Sequence, residues 1–281
     1  MDIEILEMAE RKIRFILKNS SPAMANALRR TLLSDLPKMA IDKVEFHLGS
    51  IMDDDGRECE SITPLFDEII AHRLGMVPVP TDLQRFVPQS ECVCGGAGCP
   101  SCSIMYSLNK IGPCTVLSGD LMPLGDPSLK VKDEFIPIVE LIDGQAVLIY
   151  ATAVMGTART HVKWQVANGV GYKYMPKIEV TAKPGDNIYG EVLKCADLCP
   201  KKVFAVKDGE LVVENPFDCC LCKTCVKSLG EHGGITVSGD DTNFVFTFET
   251  DGSYTAQQAL DKAVEVLASE AKDFESQLEE L

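Results

Sequence analysis

"NALRRTLLSDLP" (residues 26–37) has the pattern of an amphipathic helix that ends before a proline. Ser21 and Pro22 suit its beginning, because serine is a good N-cap and proline is tolerated at the first helical position. Arg29 and Arg30 fall on the side away from the apolar face. That face repeats at four-residue intervals: Met24, Leu28, Leu32 and Leu36. The pattern predicts a helix with one buried face and one basic face.

On both sides of this helix, apolar and polar residues alternate as they do in β-strands. Strands are predicted around Ile3 to Ile5, Ile13 to Leu17, Val44 to Leu48, Phe135 to Met155 (paired strands with a turn at Asp143-Gly144), Pro176 to Val180, and Phe244 to Phe248. A second helix is predicted from Thr63-Pro64 to a C-cap at Gly75. Runs of strands with separate helices indicate the α+β class.

The 281-residue chain carries a net charge of −15, and 46% of its residues are hydrophobic. Proteins that bind nucleic acid through bulk charge usually have a basic surface, so direct sequence-specific DNA binding is not expected. The longest apolar stretch, residues 146–155, is too short to span a bilayer. The first residues lack the basic and apolar regions of a signal peptide. We therefore expect a soluble cytoplasmic protein with no membrane partner.

Ten of the twelve cysteines fall into two groups, which in a reducing compartment indicates metal ligands more often than disulfides. The first group is Cys92, Cys94, Cys99 and Cys102, interleaved with Gly95, Gly96 and Gly98. Four thiolates suit a closed, structural zinc site, and the glycines let the loop close on a small ion. The alternative is a loop without metal that is open to oxidation. Cys59 and Cys114 stand apart and are interpreted as small buried hydrophobes.

The second group includes "DCCLCKTC" (residues 218–225) and resembles half of a bacterial-type ferredoxin. The resemblance implies one iron–sulfur cluster with the ligands Cys199, Cys219, Cys222 and Cys225. Three further cysteines of a two-cluster ferredoxin are replaced here by Tyr189, Val192 and Leu229. Cys195 and Cys220 are left over, and Cys220 is expected to point away from the cluster. A [4Fe–4S] cluster is the first interpretation and [3Fe–4S] the second, while a four-thiolate zinc site is the alternative.

The C-terminus is predicted to be one long helix with an apolar stripe. The stripe steps by three and four residues through Ala256, Leu260, Ala263, Leu267, Ala271, Phe274, Leu278 and Leu281. Its heptad-like spacing favours a partner helix, and the alternative is packing against the chain's own core. The predicted partner interface centres on Leu260, Ala263, Leu267 and Phe274.

No motif in the sequence points to catalysis, and the histidines are scattered: His47, His72, His161 and His232. Asp53-Asp54-Asp55 is interpreted as a solvated turn rather than a magnesium site. Three functions are considered: an assembly subunit with structural metal sites, an iron–sulfur electron-transfer protein or redox-enzyme subunit, and a zinc-stiffened nucleic-acid module. The lack of a flavin or nicotinamide motif weighs against the second, and the acidic charge weighs against the third.

Four segments are similar, in the same order, to signatures of the alpha-type assembly subunits of DNA-directed RNA polymerase. They are "NALRRTLLSDLP" (26–37), "FDEIIAHRLGMVPV" (66–79), "HVKWQVA" (161–167) and "FETDGSYTAQQAL" (248–260). Together they cover nearly the whole chain. The ferredoxin-like insert resembles the archaeal members, which are counterparts of bacterial alpha and the eukaryotic third subunit.

The resemblance implies a discontinuous alpha-type dimerisation domain formed by residues 1–46, 170–184 and 232–281. It also implies an inserted, mostly β domain at residues 47–169 with the zinc loop. A ferredoxin-like iron–sulfur domain is implied at residues 185–231.

The resemblance also implies partners. In this family the partner is a small subunit, L, and the pair is the platform for the small subunits N and P and the large catalytic subunits. The active site belongs to a large subunit, so this chain is expected to be part of a nucleotidyltransferase without carrying catalytic residues. Arg29 and Arg30 are expected to help dock a large subunit, and their alternative role is a solvated basic face.

Overall fold

The computed structural model describes residues 1–52, 56–230 and 233–280. Asp53-Asp54-Asp55, His232 and Leu281 lie outside the described residues, and so do the predictions made for them. The chain divides into two compact units, each assembled from several segments. The first unit comprises Met1–Met8, Ile13–Arg29 and Gly171–Thr247. The second comprises Ala9–Lys12, Arg30–Val170 and the residues from Phe248 onward.

Along the described chain, single helices separate runs of one to six strands. The strands are β1 (Asp2–Met8), β2 (Lys12–Lys18), β3 (Lys38–Phe46), β4 (Ser50–Met52), β5 (Glu58–Glu60), β6 (Ser103–Ile111), β7 (Cys114–Leu117), β8 (Met122–Pro123), β9 (Pro137–Leu141), β10 (Ala146–Gly156), β11 (Ala167–Val180), β12 (Phe204–Lys207), β13 (Glu210–Val213) and β14 (Ile235–Thr250). The helices are α1 (Pro22–Ser34), α2 (Asp67–Gly75), α3 (Tyr189–Leu198), α4 (Thr224–Leu229) and α5 (Ala256–Glu279). The mixture of α and β structure expected from the sequence is confirmed.

The first unit contains a sheet with the strand order β1-β2-β14-β11. β1 and β2 are antiparallel, with Asp2 opposite Lys18 and Met8 opposite Ile13. Aromatic side chains fill the buried face, where the rings of Phe15 and Phe246 stack with centroids 5.2 Å apart. The alternation predicted along β2 and β14 therefore marks the face that packs into the core.

The residues between β11 and β14 fold into α3, the hairpin β12–β13, and α4. The hairpin turns at Asp208 and Gly209, whose φ angles of 53° and 80° are left-handed, as a tight hairpin turn requires. The sequence did not predict α3 or α4. The insert and the sheet share one hydrophobic core, whose buried members include Val192, Cys195, Leu229, Ile235 and Val237. Ile178 and Val180 of β11 pack against the same core.

The second unit is built on a sheet with the order β3-β10-β6-β8. The predicted pairing of the two strands within residues 135–155 is wrong. Gly144 does turn the chain, with a φ of 79°, but β9 pairs with β7 and places Cys114 opposite Leu141. The reason is that β10 is hydrogen-bonded on both edges, to β3 and to β6, and so offers no edge to β9.

The predicted beginning of the first helix is confirmed. α1 begins at Pro22, and Ser21 Oγ accepts a hydrogen bond from the backbone N–H of Met24 at 3.3 Å. The second helix differs from the prediction, because α2 begins at Asp67 and includes Gly75 as its last residue. None of the helices in the described ranges is long and apolar enough to cross a membrane.

Candidate metal centres and partner surface

The first cysteine group forms a compact set of four thiols in the second unit. The sulfur atoms of Cys92, Cys94, Cys99 and Cys102 all lie within 4.8 Å of one another. Sulfur–sulfur distances are 3.5 Å for Cys92–Cys99, 3.6 Å for Cys94–Cys102 and 3.9 Å for Cys99–Cys102. A zinc ion bound tetrahedrally by thiolates at about 2.3 Å separates its sulfurs by about 3.8 Å. The spacing of these thiols fits such an ion.

The backbone of this loop supports bound thiolates. The intervening glycines have left-handed φ angles, which residues with side chains seldom adopt: Gly95 (63°), Gly96 (85°) and Gly98 (84°). A hydrogen bond from the Cys92 thiol, with others from the Cys102 thiol and from the N–H groups of Gly98 and Gly96, outweighs burial and lowers the pKa of Cys94 to about 6. These hydrogen bonds favour the thiolate form of Cys94, which is the form that binds metal.

The second cysteine group surrounds a cavity in the first unit. The cavity is lined by the four ligands that the ferredoxin resemblance implied, Cys199, Cys219, Cys222 and Cys225, and by Cys220. Apolar walls come from Val203, Phe204 and Val237. Burial raises the pKa of Cys219, and the negative charges of Cys220, Cys199 and Cys222 raise it further. Cys199 thus lies near the three-thiol run, although nineteen residues of chain separate them.

The loop that carries the three-thiol run has an unusual backbone. Leu221 and Lys223 have φ angles of 57° and 59°, which residues with bulky side chains rarely adopt. The hydroxyl of Thr224 donates to the Cys222 sulfur at 3.3 Å, and this bond, with the Thr224 N–H, lowers the pKa of Cys222. Cys220 is exposed and is one of the residues that line the same cavity, and the expectation that its thiol points away from the cluster stays a prediction. Backbone strain of this kind is characteristic of functional sites.

Cys195 is not part of this cavity. It is fully buried, and its sulfur lies 3.8 Å from the Cys225 carbonyl oxygen and 3.8 Å from Ser228 Oγ. Val192 and Leu229, which replace cysteines of a two-cluster ferredoxin, are buried in the same core. Neither of these two positions therefore offers a thiol ligand, and both side chains contribute to the core instead.

Two cationic side chains that the sequence analysis missed hold the segment before the three-thiol run. Lys173 Nζ donates hydrogen bonds to the carbonyl oxygens of Phe217 at 2.5 Å and Cys219 at 2.9 Å. Arg14 Nη2 donates to the Phe217 carbonyl at 2.9 Å and to Asp218 at 3.1 Å. Burial lowers the pKa of Lys173, and the charge of Arg14 lowers it further. No local signal marks these residues, because 44 and 203 positions separate them from Phe217.

The apolar stripe of α5 has a buried part and an exposed part. Ala256, Leu260 and Ala263 are 0%, 7% and 0% exposed, so Leu260 and Ala263 pack in the chain's own core instead of facing a partner. Their predicted role at the interface is corrected for this reason. Leu267 is half-buried, and Phe274 is 63% exposed. Every described residue from 268 onward is exposed, so the described chain leaves the distal part of α5 uncovered.

Arg29 and Arg30, the residues predicted to dock a large subunit, differ in their surroundings. Arg29 is half-buried, and its guanidinium donates to the Asn26 side-chain oxygen through Nε at 3.2 Å and Nη2 at 3.0 Å. Arg30 is exposed. The docking role of both residues stays a prediction.

Comparison with known proteins identifies the family. The model of the RNA polymerase Rpb3/Rpb11 dimerisation domain matches residues 14–271. DNA-directed RNA polymerase subunit Rpo3 of Thermoplasma volcanium is 42% identical over 94% of both chains. Subunits of the same name from Picrophilus torridus and Archaeoglobus fulgidus are each 40% identical, over 99% and 100% of this chain and 100% and 98% of their own lengths. The resemblance drawn from the four signature segments is confirmed at the level of the family. The chain belongs to the RNA polymerase Rpb3/Rpb11 dimerisation domain family.

Proposed function

We propose that this chain is a non-catalytic assembly subunit of DNA-dependent RNA polymerase, the archaeal counterpart of bacterial alpha and of the eukaryotic third subunit. Relatives named as polymerase subunit Rpo3 match it over nearly their whole length, which supports this proposal. The alternative of an iron–sulfur electron-transfer protein or redox-enzyme subunit finds no support among them. The chain takes part in nucleotidyl transfer only as a component of the polymerase.

The observation that carries the proposal is the uncovered end of α5. A helix end with an exposed apolar face is marginally stable in water, because helices in proteins gain most of their stability from packing such a face. Phe274 and Leu278 are 63% and 55% exposed on one side of this end. Small subunit L packs against Leu267, Phe274 and Leu278 and buries the exposed part of the apolar stripe. Burial of Leu260 and Ala263 anchors the other end of the same helix to the chain.

The proposed platform extends beyond this pair. The dimerisation domain consists of residues 1–46, 170–184 and 232–281, with insertions at residues 47–169 and 185–231. Small subunits N and P and the large catalytic subunits assemble on it. Exposed Arg30, and Arg29 beside it, contact a large subunit through the basic side of α1.

The two cysteine groups have separate metals in this proposal. Structural zinc binds Cys92, Cys94, Cys99 and Cys102, because the sulfur spacing suits a single tetrahedral ion. An iron–sulfur cluster, with [4Fe–4S] ahead of [3Fe–4S], binds Cys199, Cys219, Cys222 and Cys225, because three thiols of one loop and a distant Cys-Pro line one cavity. Anaerobic purification with subunit L, followed by iron, sulfide and zinc analysis, tests both assignments. A purified protein that contains zinc and no iron would overturn the iron–sulfur assignment.

The partner is tested by mixing the purified chain with subunit L from the same organism. Gel filtration with light scattering should show a complex that contains one copy of each chain. Either chain run alone at the same concentration should elute at its own, smaller mass. A chain that stays separate from subunit L, while its own fold is intact by circular dichroism, would contradict the proposal.

A further inference from the structure

The segment Phe217–Cys219, which leads into the three-thiol run, is held by side chains from two strands of the sheet. Lys173 belongs to β11 and Arg14 to β2, and β14 lies between these strands. Both side chains donate to the Phe217 carbonyl oxygen, at 2.5 Å and 2.9 Å. Lys173 also reaches the carbonyl of Cys219, which is the first ligand of the run. The position of this ligand therefore depends on two cations of the sheet.

Apolar contacts seat the same loop on β14. A Cβ atom at Gly239 would lie 2.8 Å from Tyr174 Cβ and 3.3 Å from Leu221 Cδ1, so glycine makes room for both side chains. Val237, two residues earlier on β14, lines the cysteine cavity itself. Three strands of the sheet thus fix the loop, through hydrogen bonds from β2 and β11 and through packing on β14.

The positive charges of Lys173 and Arg14 also lie beside a site that concentrates negative charge. Four thiolates concentrate negative charge in a cavity with apolar walls, where charges are screened less than in water. Reduction potentials of iron–sulfur clusters depend on net charge and on hydrogen bonds around the sulfurs. The acidic residue of this segment is Asp218, whose carboxylate forms an ion pair with Arg14 at 3.1 Å. Lys173 Nζ instead donates to the carbonyl oxygens of Phe217 and Cys219.

We propose that Lys173 and Arg14 are positioning residues of the iron–sulfur site, which orient Cys219 toward the cavity and offset the negative charge of the four thiolates. The inference rests on the cluster proposed above. Groups that orient metal ligands typically contribute about 10- to 100-fold to metal affinity, although they do not touch the metal. The sheet and the metal site are then one cooperative structure, because each fixes the other.

The test compares Lys173→Met with Lys177→Met in the full chain, purified anaerobically with subunit L. Both changes remove one lysine charge from β11. Lys177 is a matched control because its Nζ lies 3.2 Å from Asp240 and it is not one of the residues that line the cysteine cavity. Two readouts are the rate of iron release to a ferrous chelator and the reduction potential of the cluster. Lys173→Met should release iron about 10- to 100-fold faster and shift the potential to lower values, since loss of a cation disfavours the reduced state.

Lys173→Arg keeps the charge and should restore the potential more fully than the release rate. Arg14→Met should change both readouts in the same direction as Lys173→Met, and it supplies the test if Lys173→Met does not fold. Unmutated chain that holds no iron would overturn the cluster proposal and this inference with it. A different outcome would overturn the inference alone. In that outcome the unmutated chain holds iron, but Lys173→Met and Arg14→Met both match Lys177→Met in release rate and reduction potential.

Discussion

Replacing Phe274 by alanine should weaken binding to subunit L without weakening the chain's own fold. Full burial of a phenylalanine side chain contributes roughly 1.5–3 kcal/mol. Since 63% of Phe274 is still exposed in the chain alone, roughly 1–2 kcal/mol remains to be gained on binding. The dissociation constant should therefore rise roughly 5- to 30-fold. Phe274→Asp should abolish binding, because an unpaired carboxylate would be buried in an apolar contact.

Isothermal titration of subunit L into each variant measures this change. Lys272→Ala is the matched control, because its side chain points to the opposite side of the same exposed helix end. It should leave the dissociation constant within about twofold and confirm that the helix is intact. Unchanged affinity in both Phe274→Ala and Phe274→Asp would refute the proposed interface.

Three other changes separate the roles assigned above. Leu260→Ala should lower the free energy of unfolding by about 2–5 kcal/mol in urea denaturation, because this side chain is 7% exposed in the chain's own core; an unchanged midpoint would contradict that placement. Cys99→Ser should lose one zinc per chain by elemental analysis and open the loop to proteolysis while pairing with subunit L persists, and unchanged zinc would exclude this ligand set. Arg29→Glu with Arg30→Glu should spare that pairing and reduce recovery of the large subunits by affinity purification, and full recovery would count against docking through α1.

Local patterns predicted the elements whose signals are local. Ser21 caps α1 because a hydroxyl before a proline satisfies an otherwise free N–H, and this rule needs no tertiary information. Strand pairing could not be predicted in the same way. The turn at Gly144 is visible in the sequence, but β9 joins β7 because both edges of β10 are already paired, which depends on distant residues.

The stripe on α5 illustrates a second limit. Three- and four-residue spacing identifies the apolar face of a helix, but it does not say what covers that face. Leu260 is covered by the chain itself, whereas Phe274 is exposed, and both occupy equivalent positions of one pattern. Only the structure shows which residues of the stripe are buried and which are exposed.

The candidate metal sites show the same division between local and distant signals. Spacing within a short loop predicted the Cys92–Cys102 group, whose sulfurs the structure brings within 4.8 Å. The resemblance to ferredoxin linked Cys199 to the later three-thiol run, and these thiols line one cavity. Lys173 and Arg14 had no such signal, since they reach the loop only after β2 and β11 join one sheet.

The central claim is that the polymerase requires this chain for assembly and not for chemistry. Reconstitution of the polymerase from separately purified subunits, with and without this chain, tests it most directly. Light scattering would report the mass of the assembly, and a promoter-independent RNA synthesis assay would report activity. We predict that omission leaves the large subunits unassembled and inactive, and that adding the chain with subunit L restores both mass and activity. A complete and active assembly formed without the chain would contradict the account.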